Sequence, residues 1–194
     1  MATTVASRSS RAVRPGGRSA RVRAAVHGAA LELAAEGAAE ALTIPTIAQR
    51  AGVHPTTVYR RWGTVAELLA DVSASRFAGD LVVPDTGDLR ADLDRYAAGL
   101  AKDLTDPDTL ALVRATVGIG GEQGAAVCRS ERENQLVAIL ERDRARGNEP
   151  PGIEETTDAI LAPLYYRAVF TNFPLDPAWV HGLVERLLAD QTSS

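Results

Sequence analysis

Residues 51–62 read AGVHPTTVYRRW, where Thr56, Thr57, Tyr59, Arg60 and Arg61 crowd around only three large apolar side chains, Val53, Val58 and Trp62. Hydroxyls of this kind bond phosphate oxygens and base edges, and a guanidinium forks onto guanine or holds a phosphate. On one face of a short helix they suit a polar, anionic partner. The other chemistry-bearing residues form no comparable group. His27, His54 and His181 are far apart, and none stands at metal-ligand spacing from Cys128, the single cysteine, so no metal site is expected. No glycine-rich phosphate loop follows a strand, and no motif supports a Ser-His-Asp nucleophile. An enzyme reading therefore has nothing to carry it, and no cofactor is expected. Cys128 reads as a packed thiol rather than a redox sensor.

The elements that must position residues 51–62 are helical. Residues 1–17 are rich in Ser, Arg, Ala and Gly, lack periodicity, and read as a disordered basic arm. Val22, Val26, Ala29 and Leu33 share one face of a first helix, which Gly37 ends. Thr43 caps a second, carrying Ile47, Ala48 and Ala51 and closed by Gly52. Pro55 opens a third, where its missing N–H costs little, with Val58 and Trp62 turned inward. Thr64 caps a fourth, with Val65, Leu68, Leu69, Val72 and Arg76 on one stripe. With Ala51 and Gly52 at a tight corner, the second and third helices make a helix-turn-helix, and residues 18–78 form its domain.

Residues 79–194 read as a helical body. Leu89, Leu93, Tyr96, Leu100 and Leu104 mark a helix starting near Asp88. Leu110, Val113 and Val117 mark the next, which ends in the glycines at 118–124. A charged helix follows over roughly 122–146, then the loop RGNEPPG, a helix over 153–170, and a last one opened by Asp176 and Pro177. Strand alternation is nowhere sustained, so the fold class is all-α with about nine helices. Leu161, Leu164, Val180, Leu183, Val184 and Leu187 make stripes too rich for the final helices to leave in water, and they are expected to form a homodimer interface. Trp179, Tyr165 and Tyr166 are assigned to interface and core. Arg114, the one charge in an apolar run, faces either a local acid or an anionic ligand.

Charge separates the two parts. The net charge is −4, yet residues up to Trp62 carry nine arginines against three glutamates, +6, and the remainder carries −10. A basic head on an acidic body is the asymmetry expected when one end meets a polyanion. No segment approaches the apolar length of a membrane span, the N-terminus lacks the apolar region of a secretory signal, and one cysteine suits a reducing compartment. A cytoplasmic location without membrane contact is expected.

The segment LTIPTIAQRAGVHPTTVYRRWGTVAELLADV, residues 42–72, resembles the DNA-binding head of TetR-type transcriptional regulators. The resemblance is specific over roughly 18–76. It continues more weakly into LAPLYYRAVF…LDPAWVHGLVERLL, which is similar to the C-terminal helices of one subgroup. It implies a homodimer that represses from a palindromic operator on double-stranded DNA, with a small-molecule effector, its identity and lining residues unknown, held in the body. The DNA contacts it implies are Arg18, Thr43, Thr46, Pro55, Thr56, Thr57, Tyr59, Arg60, Arg61 and Thr64. One departure stands out: Val65 occupies the place where the family often has a phosphate-binding lysine. That departure and the acidic body motivate a rival reading, a helical small-molecule-binding protein whose head has weak or lost operator binding.

Overall fold

The computed structural model describes residues 17–37, 42–80 and 83–191. The arm before Gly17 lies outside them. Helix α1 (Gly17–Ala35) is followed by α2 (Ile44–Arg50), α3 (Pro55–Trp62) and α4 (Val65–Asp80). The body comprises α5 (Leu89–Thr105), α6 (Pro107–Ala145), α7 (Ile153–Thr156), a π-helical turn (Thr157–Leu161), α8 (Ala162–Phe170) and α9 (Pro177–Gln191). No strand occurs among the described residues.

Local chemistry sets the boundaries. The Thr43 hydroxyl accepts from the Thr46 N–H, Asp88 from Ala91 and Asp106 from Thr109, each side chain taking up an orphan donor at a helix start. Thr64 accepts from the Glu67 N–H. The helix-turn-helix corner closes through the Val53 N–H to the Ala48 carbonyl at 3.0 Å, with Gly52 at φ 66°, a conformation suited to a residue without Cβ. The π turn has a cause in Pro163. Without an N–H, it cannot bond the Ala159 carbonyl, and its ring crowds that turn, so the helix widens just before it.

The expected break at the glycines is a kink. Gly121 has φ 53° and ψ −135°, while helical bonding continues on both sides, so 107–145 runs as one bent helix. A Cβ on Gly124 would overlap the Thr116 carbonyl oxygen, so the bend brings two backbones into direct contact. With 153–170 counted as one helix through its π turn, the described residues hold eight helices where about nine were expected.

Two hydrophobic cores result. The head core gathers Val26, Leu33, Ile47, Val58, Trp62, Leu68, Leu69 and Val72, and takes in Leu112, with Ala115 and Ile119 packed against it, from the first half of α6. The body core joins α5, the second half of α6, α8 and α9. The six residues expected at a dimer interface all belong to that body core. Leu164 and Val184 are wholly buried, and Leu161, Val180, Leu183 and Leu187 nearly so. The physical reason is α5: Leu93, Tyr96, Leu100 and Leu104 cover these stripes within the same chain. In the single chain they are core residues rather than an exposed stripe.

Candidate nucleic-acid interface and effector cavity

The face that α3 turns outward is polar and nearly free. Thr56, Tyr59, Arg60 and Arg61 are exposed, Pro55 and Thr57 half-buried, while Val58 and Trp62 anchor the helix in the head core. Arg60 has no ion pair or hydrogen bond among the described residues. Arg61 is held: its guanidinium donates to Ser19 Oγ at 3.1 Å and lies 5.1 Å from the Trp62 ring centroid. Thr43 and Thr46 are hydrogen-bonded to each other at 2.8 Å at the start of α2, and Thr64 stands exposed at the start of α4. Arg18 is exposed on the first turn of α1.

His54 is a residue that sequence reasoning passed over. Its Nδ1 accepts the Thr56 N–H at 3.3 Å and lies 2.9 Å from the Thr56 hydroxyl. An amide can only donate, so Nδ1 is unprotonated and the neutral ring carries its proton on Nε2. His54 therefore caps α3. The signal available in sequence was its position immediately before the N1 proline.

Arg50, counted in the basic head, is engaged elsewhere. It pairs with Glu36 at 2.7 Å and Glu32 at 3.4 Å, locking α2 to α1. The start of α4 carries a carboxylate and no cation. Val65 packs against the head core, and Thr64 with Glu67 forms a Thr-x-x-Glu sequence that places a carboxylate in the first turn.

Behind α3, one carboxylate ties three helices. Asp71 of α4 accepts from Arg23 at 2.8 Å, lies 2.9 Å from His27 Nε2, and accepts the Trp62 indole N–H at 2.9 Å. Burial pushes the Asp71 carboxyl up, but Trp62, His27 and Arg23 outweigh it and hold it below its ordinary value of 3.8. Burial dominates at His27 and lowers it below 6.5 despite Asp71.

Where α6 faces α8, the body forms a cavity of about 450 Å³ that opens to solvent. Val113, Val117, Cys128, Leu161, Tyr165 and Val169 give it apolar walls, and Arg114, Arg129 and Arg132 also line it. Burial pushes the Cys128 thiol up to about 11, so it stays protonated at neutral pH, against the sensor reading. Tyr165 borders this cavity and Tyr166 faces solvent, whereas Trp179 is stacked under the Arg167 guanidinium at 3.8 Å. Arg114 meets neither a described acid nor a core partner: it donates to the Ala168 and Val169 carbonyls at the end of α8.

Comparison with known proteins decides the family. Residues 28–72 match the bacterial regulatory proteins of the tetR family, and residues 83–187, over half the chain, match the tetracyclin repressor-like C-terminal domain. The chain belongs to the TetR family. It is similar to the HTH-type transcriptional regulator AqdR of Rhodococcus erythropolis, 32% identical over 147 residues, covering 76% of this chain and 71% of that protein. The uncharacterized HTH-type regulator YdeS of Bacillus subtilis is 31% identical over 168 residues, covering 82% and 84%. Among solved structures, the TetR family transcription regulator SCO0332 superposes with a TM-score of 0.68 at 28% identity, over 87% of this chain and 97% of that one. This TetR-family chain is a helix-turn-helix transcriptional regulator, and none of its described helices is long and apolar enough to cross a membrane.

Proposed function

We propose that this regulator is a cytoplasmic homodimeric repressor, held on a palindromic operator by the outward face of α3 and released when a small molecule fills the α6–α8 cavity. One observation carries the coupling. The first half of α6 places Val113, Val117 and Gly118 in the cavity wall and Leu112, Ala115 and Ile119 in the head core. A ligand that shifts this segment shifts the floor on which α1 and α4 stand. Two further ties run along the same seam. Ser73 of α4 and Thr116 are hydrogen-bonded in a fully buried setting at 2.9 Å. Arg76 reaches Asp106 at 2.6 Å and Thr109 at 2.9 Å. A coupling of about 1–3 kcal/mol along such a seam weakens DNA binding about 5- to 150-fold.

The DNA contacts we assign are Arg18, Thr43, Thr46, Pro55, Thr56, Thr57, Tyr59, Arg60, Arg61 and Thr64, with Arg60 the leading cation. For the second copy, the outer side of α8 and the turn after it offer Tyr166, Phe170 and Phe173, at 62%, 74% and 67% exposure. Aromatic area of this size is what two copies would bury in an isologous contact.

The test is selection from a random double-stranded DNA library. Recovery of a palindrome with half-sites about one helical turn, 34–36 Å, apart supports the reading. Recovery of no common sequence, with binding that salt alone governs, refutes it and favours the rival small-molecule binder.

A further inference from the structure

Every polar side chain bordering the α6–α8 cavity can donate a hydrogen bond, and none is a carboxylate or an amide. The charged ones are Arg114, Arg129 and Arg132. Arg132, on the buried side, is neutralised by Asp103 at 3.0 Å. The other two are exposed and weakly balanced. Arg114 faces only the carbonyls of α8, with no carboxylate within ion-pair distance among the described residues. Arg129 has a single, loose partner in Glu133 at 3.6 Å and is 65% exposed. Deeper in the wall, the Thr157 hydroxyl is buried without a hydrogen bond, and the Tyr165 hydroxyl is buried beside the Arg132 guanidinium, which can donate to it but cannot accept its proton. Burial pushes the Tyr165 phenol up, so it keeps its proton and remains a donor.

A cavity of this kind presents apolar walls, two hydroxyl donors without acceptors, one guanidinium with no ion pair among the described residues and a second that is only loosely paired. Low-dielectric walls strengthen that positive field. A cationic ligand would meet repulsion at the mouth and no carboxylate inside to balance it. Resting on the cavity reading above, we propose that the effector is an amphipathic organic anion: an apolar body of aromatic or alicyclic size, with a carboxylate or sulfonate-like oxyanion facing Arg114 and Arg129. Its body carries a further acceptor oxygen or ring atom within reach of Tyr165 and Thr157. The volume suits a body of two or three fused or linked rings.

A matched pair of fluorescent probes tests the class. 8-Anilinonaphthalene-1-sulfonate and N-phenyl-1-naphthylamine share one apolar body and differ by the sulfonate. The full-length protein should bind the sulfonate more tightly, and added salt should narrow the difference. Arg129→Glu, on an exposed side chain, should cut the ratio of the two affinities roughly threefold to tenfold, and Arg114→Gln should act in the same direction. Should Arg114→Gln disturb folding through the lost α8 bonds, Arg129→Glu decides alone. Ala125→Trp, or Ala162→Phe if the larger ring prevents folding, fills the cavity and should abolish both signals. Equal affinities, tighter binding of the neutral probe, or an unmoved ratio in Arg129→Glu would overturn the anionic class while leaving the cavity as the effector site. Undiminished binding of both probes to a folded cavity-filled variant would overturn the cavity reading itself.

Discussion

Replacing Asp71 with alanine should loosen the recognition helix from behind. The Trp62 indole is 5% exposed, so its N–H, deprived of Asp71, would find no water to replace it. An orphaned buried donor costs about 1–3 kcal/mol. The His27 bond adds about 1 kcal/mol, since that side chain is 12% exposed. The Arg23 pair adds less than about 1 kcal/mol, because its side chain is 39% exposed and water screens it. These groups share one carboxylate and are not independent, so the expected loss is about 2–4 kcal/mol. Urea unfolding followed by circular dichroism measures it. Trp62→Phe keeps an aromatic, though smaller, side chain and removes the N–H, and in that background Asp71→Ala should cost about 1 kcal/mol less. DNA affinity should fall in Asp71→Ala even at temperatures where it stays folded, because the C-terminal end of α3 is no longer pinned. A loss below about 0.5 kcal/mol, or the same cost with and without the indole N–H, would refute the reasoning.

Arg60→Ala should weaken operator binding by about 1–3 kcal/mol if Arg60 reads a base, or lower the salt slope by about one unit if it holds a phosphate, as titration at several salt concentrations will show. Val65→Lys should raise DNA affinity and steepen the salt dependence by about one unit, since it adds a cation at the start of α4; an unchanged slope would place that helix end away from the phosphates. Tyr166→Asp with Phe170→Asp should give a folded monomer by sedimentation, whereas Leu164→Asp should unfold the body, which a melting curve separates. Folded His27 titrates below 6.5 because burial disfavours its charged form, so its contribution to stability is present above 6.5 and is lost as pH falls from there through its lower folded value. His27→Asn should therefore flatten the loss of stability on acidification over that range.

What the sequence disclosed was mostly local. Thr43, Pro55, Thr64 and Asp88 announced helix starts because a cap acts on its own next turn, and the outward set on α3 followed from Val58 and Trp62 facing inward. The six leucines and valines of the last helices were legible as buried, but periodicity says that a face is covered and not what covers it; α5 was the missing partner. The Gly121 kink was misread for a related reason. Several glycines look like a helix end, yet only one adopts a left-handed φ while bonding resumes beyond it. Asp71 was invisible because its partners His27 and Arg23 lie 44 and 48 residues away. The cavity was hidden likewise, being assembled from the α6 segments on either side of the kink and from α8.

The contribution of Leu112, Ala115 and Ile119 to the head core bears on modularity. A fragment ending after α4 would lack part of the head core, so the head is not a unit that can be cut out and moved. Transplanting another regulator's head onto this body, to redirect it to a new operator, would require its α4 to fit these three α6 positions or to bring its own residues at them. Chimeras joined between α4 and α5 should fold or fail according to that match. Recombination among relatives would be filtered at the same seam, which makes the pairing of operator with effector less freely exchangeable than a two-part layout suggests.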